Sequence, residues 1–380
     1  MNGVNRRFIW QQDDWPHWRF DRQRLAQALA QAHQAQGRLL GRLQGLGVGL
    51  REQATLQVLT EDVLKTSEIE GETLNPDAVR SSLARRLGVD IGGLAPADRN
   101  VEGVVDMVLD AIRYHERELT AEQLFGWHAA LFPTGYSGLT KIRVGAWRDD
   151  ALGPMQVVSG PLGRQRVHYE APPAHLLAAE MSDFLRWFND DQPTDAVIKA
   201  GLAHLWLVTL HPFDDGNGRI ARTVGDLALA RAERSTQRFY SVSAQIQRER
   251  RDYYDCLERT QKGTLEVTDW LEWFVGCLLR AISGAEEILA AVLAKAGFWQ
   301  RWAGTPMNER QIKLLNRLLD GFFGKLTSGK WAAIARCSSD TALRDIQVLV
   351  QRGVLTKSGA GGRSTHYTLA PPKSGGESPR

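Results

Sequence analysis

Between His211 and Arg222 the chain reads His-Pro-Phe-Asp-Asp-Gly-Asn-Gly-Arg-Ile-Ala-Arg. An imidazole, carboxylates, glycines, an amide and arginines this close together suit chemistry on phosphate. His211 is the side chain here whose ordinary pKa lies near neutrality, so it is the natural general base. Asp215 offers a hard oxygen to Mg²⁺, an ion that usually keeps few carboxylates beside phosphate oxygens and water. Gly216 and Gly218 let backbone N–H groups approach phosphate oxygens with no Cβ in the way. Asn217 can donate an amide hydrogen to developing negative charge. Arg219 and Arg222 fall near one face of a helix, and both can reach phosphates. Phe213 reads as a core anchor that fixes the loop. From residue usage alone, His-x-Phe-x-Asp/Glu-Gly-Asn-Gly-Arg-x-x-Arg arises at a given position with a chance on the order of 10⁻¹⁰. Coincidence is negligible for the whole string.

Helices must hold this loop. The apolar run Ala200 to Leu210 precedes it, and the stretch from Arg219 reads as a second helix. The polar cluster therefore runs into a helix N-terminus, where free N–H groups and the dipole favour an anion. Further helical patterns cover Val101 to Tyr114, Thr120 to Leu131 and His175 to Asn189. Tyr253, Tyr254 and Leu257 share another, and Asp269 begins the next. A long helical connector follows from Ala281 to Trp302. Between Met155 and Glu170, β-prone runs flank a Gly160-Pro161 turn, a hairpin signal in a helical chain. Taken alone, it is as readily a plain surface hairpin.

At the N-terminus, Trp10, Trp15, Trp18 and Phe20 read as packing anchors, followed by an amphipathic helix from Asp21. A second helix from Gln53 to about Leu64 runs into Lys65-Thr-Ser-Glu-Ile-Glu-Gly-Glu72, with Gly71 as C-cap and Asn75-Pro76 as a break. Carboxylates at a helix C-terminus oppose the dipole. Glu68, Glu70 and Glu72 are thus either a solvated end or held by cations from elsewhere. Gly88 to Arg99 reads as a loop.

Across 380 residues, 43% hydrophobic and 24% charged composition is that of an ordinary soluble protein with room for two or three domains. No apolar run reaches the length of a membrane span, and the N-terminus lacks a signal-peptide core, so no membrane association is expected. The three cysteines, Cys256, Cys277 and Cys337, are scattered, which points to a reducing cytoplasm without disulfides or zinc. Net charge is +3, yet Pro306 to Leu369 carries ten Lys and Arg against four Asp and Glu. That surplus marks a separate module. Helical patterns at Asn308–Leu319, Trp331–Arg336 and Ser339–Gln351, then a Gly-tipped hairpin, follow the order of a winged helix-turn-helix. Ser339 to Arg352 would be its recognition helix and Gly359 to His366 its wing, with Arg344, Lys357 and Arg363 as candidate phosphate contacts. Such modules bind DNA or other proteins.

The string from His211 to Arg222 resembles the motif of the Fic (Fido) family at every defining position. The resemblance covers roughly Val101 to Leu279 as a catalytic core. The tryptophan-rich N-terminus and the winged helix are similar to the layout of a bacterial subgroup of long Fic proteins. It implies a mainly α fold: a Fic-type helical core with a β-hairpin flap, plus the C-terminal winged helix-turn-helix. The expected layout is an N-terminal helical region (1–97), core (98–280), connector (281–305), winged-helix-like domain (306–370) and disordered tail (371–380).

The resemblance also implies an activity, transfer of AMP from ATP to a Ser, Thr or Tyr hydroxyl of a target protein or of the chain itself. His211 would deprotonate the hydroxyl, and Asp215 would hold Mg²⁺ against the α- and β-phosphates. Asn217 and the Gly216 and Gly218 backbone would bind phosphate oxygens, with Arg219 and Arg222 at the β/γ end. Met155, Gln156, Val157 and Val158 would belong to a flap that docks the target as an added strand. Tyr253 or Tyr254 would line the adenine pocket. Thr66-x-x-x-Glu70-Gly71 resembles the family's inhibitory motif, in which Glu70 would pair with Arg222 and take space the γ-phosphate needs. Two alternatives stand beside this reading: AMP removal at the same site, and a DNA-binding regulator with a nucleotide-sensing core. Family likeness also makes a homodimer an expectation.

Overall fold

Asp21 ends an entry segment of one 3-10 turn and further tight turns by accepting the N–H groups of Gln23 and Arg24, which starts the first long helix, α1 (Arg22–Gln44). This computed structural model describes residues 7–91, 95–151, 153–161, 164–190, 194–319, 325–358 and 365–371. Two units make it up, Met1–Ile288 and Leu289–Arg380.

In the first unit α2 (Val48–Ile69) is longer than expected and reaches the acidic stretch. Asn75-Pro76, expected only as a break, opens α3 (Pro76–Leu87). Asn75 accepts from Asp77 and Ala78 N–H, and Pro76 stands where a missing N–H costs nothing. Next come α4 (Arg99–Arg113) and α5 (Ala121–Leu131), then a small hairpin of β1 (Tyr136–Ser137) and β2 (Thr140–Lys141). A second hairpin pairs β3 (Gln156–Ser159) with β4 (Arg166–Glu170), its register shifting between Val157 and Val158. After α6 (Leu177–Asn189), α7 (Ala196–Leu210) is buried along nearly its whole length, as its apolar run demands. It packs against α8 (Asn217–Glu233), and the central loop joins the two. Then follow α9 (Val242–Arg248), α10 (Arg250–Gln261) and α11 (Thr268–Arg301), which runs past the end of this unit and through most of the expected connector.

The N-terminal aromatics do anchor this unit. Trp15 and Trp18 stack edge-on around Trp206 of α7, and Trp15 Nε1 donates to Glu180 (2.8 Å). Phe8 packs against Tyr169 of β4, while Trp10 Nε1 donates to the Glu170 carbonyl (2.8 Å). The entry segment is thereby stapled beneath the second hairpin.

The second unit contains α12 (Glu309–Leu319), α13 (Ser328–Ala335), α14 (Ser339–Gln351) and a hairpin of β5 (Leu355–Lys357) and β6 (Tyr367–Leu369). Leu326, ahead of α13, bridges to Tyr367 and extends this sheet. Leu314, Leu315, Trp331, Ile346, Leu349 and Val354 form its core. The expected wing tip with Arg363 and nearly all of the expected tail lie outside the described residues.

Candidate active site

His211 closes α7 in the left-handed conformation (φ 49°, ψ 56°), a position that turns the chain sharply and costs a non-glycine residue energy. Two contacts hold it there. Its N–H donates to Leu207 O (3.0 Å), and its carbonyl accepts from Nε of the buried Arg148 (2.7 Å). Arg148 also donates to Asp150 and to the Pro172 carbonyl, tying the loop to the segment after β4. The ring's Nδ1 lies 2.8 Å from the Val208 carbonyl. A carbonyl only accepts, so Nδ1 carries the proton and Nε2 is left with its lone pair. Burial lowers the pKa of His211; the Val208 bond pulls the other way and nearby Arg148 lowers it further. A neutral imidazole with a free Nε2 is the form a general base requires.

The loop is built to a fixed shape. Phe213 is fully buried, its ring stacked on His128 at 4.3 Å. Gly216 caps α8 at φ 78°, and a Cβ there would come within 2.9 Å of the Phe132 ring, so glycine is required. Asn217 is turned inward: its amide donates to Phe213 O (2.7 Å) and its oxygen accepts from Phe213 N–H (2.9 Å). The expectation that its amide faces a phosphate gives way, in this state, to a clamp across the turn. Asp215 accepts from Gly216 N–H (2.6 Å) and from the Ser137 hydroxyl on β1. Its neighbour Asp214 accepts from Arg143 N–H (2.7 Å). A part-exposed carboxylate with lone pairs to spare suits a divalent cation completed by phosphate oxygens and water. The described residues contain no group of three or more His, Cys, Asp and Glu arranged for a metal.

Both expected phosphate arginines point at the end of α2. Arg222, almost wholly buried, donates from Nη2 to Glu70 Oε1 (2.7 Å) and to Thr66 O (2.9 Å), and from Nε to Thr66 Oγ1 (2.8 Å). The Glu70 carboxylate also lies over the start of α8: a Cβ on Gly218 would sit 2.3 Å from Glu70 Oε1. Space where an anion would meet the helix N-terminus is thus taken by a side chain. Arg219 donates from Nη1 to Glu72 Oε2 (2.6 Å) and lies over the Phe132 ring. Glu70 and Glu72 are thus held by cations from α8, while Glu68 pairs with Lys65 of its own helix (2.7 Å). Arg148 and Ser137 are not singled out by the sequence; Glu72 is, but only as an acid in want of a cation, with no sign that its partner is Arg219.

The flap residues form one exposed edge. Gln156 and Val158 are exposed, while Met155 and Val157 pack toward Phe8 and Tyr169. β3 pairs with β4 on one side, and among the described residues no strand pairs with its other side. β4 is pinned from behind: Tyr169 donates to Thr209 O (2.8 Å) at the end of α7. His168 Nδ1 and Arg166 Nη2 donate to Glu258 of α10 at 2.6 and 3.0 Å. Burial alone would raise the pKa of Glu258, but bonds from Lys262, His168 and Arg166 outweigh it and bring it down to about 2. The tyrosine pair separates. Tyr253 is buried, with its hydroxyl 2.9 Å from His204 Nε2, so only Tyr254, 39% exposed beside the end of α2, presents a ring face.

Residues 118–229 match the family model described as Fic/DOC family, and residues 8–89 match one described as a domain of unknown function, DUF4172. The protein adenylyltransferase Fic of Drosophila ananassae is 27% identical over 226 residues, 57% of this chain and 39% of that protein. Its counterpart from Nematostella vectensis is 33% identical over 114 residues, 29% of this chain and 25% of that protein. The chain thus covers well under half the length of these curated relatives. A solved Fic family protein from Desulfovibrio desulfuricans G20 superposes with a TM-score of 0.52 at 20% identity, over 93% of this chain and 97% of that one. A Fic domain containing signaling protein from Bacteroides thetaiotaomicron gives 0.51 at 20% identity, over 68% and 98%. At these identities the structural likeness is one of fold.

Proposed function

We propose that this chain, which carries a Fic/DOC family domain, transfers AMP from ATP to a protein hydroxyl and is held off by Glu70. The observation that supports transfer is His211, its Nδ1–H given to Val208 O so that Nε2 is the atom left for a proton, at the mouth of a helix N-terminus that carries two arginines. In this reading a Ser, Thr or Tyr hydroxyl gives its proton to His211 Nε2 while its oxygen attacks the α-phosphorus. The bond from that phosphorus to the bridging oxygen breaks, and pyrophosphate leaves. The N-terminal N–H groups of α8 bind phosphate oxygens, and Arg219 and Arg222 join them as the carboxylates that hold them give way. Asp215 would hold Mg²⁺, which supplies charge neutralisation between the phosphates. Asn217 keeps the loop in shape, and the free edge of β3 receives the target chain as an added strand. Tyr254 is the better placed of the tyrosines to stack on adenine.

The label's position tests this. Incubating the Glu70→Gly chain with ATP labelled at the α-phosphate puts label in protein, whereas γ-label leaves with pyrophosphate. Protein labelled from the γ-phosphate would make the enzyme a kinase and overturn the reading.

A second direction is supported by one observation: Glu70 keeps a part-exposed carboxylate at the same mouth. Orienting water from there, it would remove AMP from a modified protein. Release of free AMP by the native chain, lost in Glu70→Gly, distinguishes removal from addition.

For the second unit we propose a winged helix-turn-helix that binds DNA. Leu343, Arg344 and Gln347 are exposed along α14, and Lys357 on β5 lies out in solvent.

A further inference from the structure

We infer that Glu72 is a second gate on the phosphate-binding arginines, so that the turn after α2 stands in for two neighbouring phosphates rather than one. This rests on the proposed function, since it assigns Arg219 and Arg222 to a polyphosphate chain.

The turn's backbone fixes the arrangement. Gly71 N–H donates to Glu68 O (3.0 Å), and Glu72 N–H donates to Ser67 O (3.0 Å). With Gly71 at φ 84°, these bonds close the helix in a Schellman motif. Glu70 and Glu72 are therefore held on either side of one left-handed glycine with little freedom between them. Across from them, Arg219 and Arg222 lie about one turn apart on α8. The two carboxylates meet the two guanidinium groups one to one, Glu70 on Arg222 at 2.7 Å and Glu72 on Arg219 at 2.6 Å. Both arginine side chains are 3% exposed or less, so each pair is desolvated on its cationic side.

An incoming triphosphate must displace both acids to gain both arginines. Removing Glu70 alone frees Arg222 but leaves Arg219 tied. Glu72 is a positioning residue: it acts on the ligand through Arg219 and touches no reacting atom. Its carboxylate is about half exposed, so solvent screens the pair and the effect is modest. AMP carries no β- or γ-phosphate and gains nothing from Arg219 in this arrangement.

The test is calorimetric binding of ATP and of AMP to the full chain as native, Glu72→Gln, Glu70→Gly and the double variant. Glu72→Gln should tighten ATP roughly threefold to tenfold in both backgrounds and leave AMP unmoved. Unchanged ATP affinity in both backgrounds overturns the inference. So does an equal gain for ATP and AMP, which would mean a general loosening of the turn. If Glu70→Gly transfers no AMP but the ATP-specific gain persists, the transfer reading fails and the gate stands.

Discussion

His211 is the residue on which chemistry and architecture meet most tightly. Its left-handed backbone, its Nδ1 bond to Val208 and the Arg148 bond to its carbonyl leave one atom, Nε2, free to take a proton. His211→Ala should cut transfer by at least about 10²-fold while ATP affinity stays within a few-fold, measured by labelling and calorimetry side by side. Because burial lowers its pKa, the neutral base persists below the ordinary histidine value of about 6.5. The acid limb of a kcat/KM profile should therefore fall below that pH; a limb above it contradicts the assignment. Glu70→Gly leaves Arg222 buried without its carboxylate, though still bonded to Thr66. The cost is about 1–3 kcal/mol, a fall in Tm of roughly 2–8 °C for the first unit, which saturating ATP should recover. At this scale the motif was legible because its spacing is local. Arg148 and Ser137 were not, and for Glu72 the partner was not, since each meets its partner only after the chain has folded back from far away. Asn217 shows the opposite limit: its place was legible, but the direction of its amide was not.

At the level of elements, local rules found most helices and the flap hairpin, because period and caps are written in adjacent residues. They missed α3, since Asn-Pro signals a turn and a helix start with the same residues. Two-residue strands such as β1 and β2 carry no period at all, yet β1 supplies the hydroxyl against Asp215. The turn after α2 makes its own prediction. No heavy atom within 4 Å blocks a Cβ on Gly71, so Gly71→Ala strains only the φ of 84°. It should loosen both carboxylates and raise ATP affinity without removing either one. The flap makes another. Glu258→Gln removes the charge that pins His168 and Arg166, so amide hydrogens of β3 and β4 should exchange faster than in the native chain. Unchanged exchange would locate the flap's anchorage in Tyr169 and Phe8 instead.

For the whole molecule, the charge asymmetry of Pro306–Leu369 raises the expectation of a separate module, and that stretch falls within the second compact unit, Leu289–Arg380. Its boundary was less legible, because α11 continues unbroken through most of the stretch expected to be a connector. No helix among the described residues is long and apolar enough to cross a membrane. If the second unit binds DNA, the full chain should shift a duplex at low salt, and Arg344→Glu with Lys357→Glu should weaken that shift and flatten its salt dependence. No shift of the native chain at low salt contradicts DNA binding. The proposed transfer turns on Arg222 being held by Glu70 while His211 stands ready as base. The most direct measurement compares α-label incorporation from ATP by the native chain, Glu70→Gly and Glu70→Gly/His211→Ala. The account predicts a low rate, a rate at least tenfold higher, and a rate at background. Equal rates for the native chain and Glu70→Gly, or labelling that survives loss of His211, would contradict it.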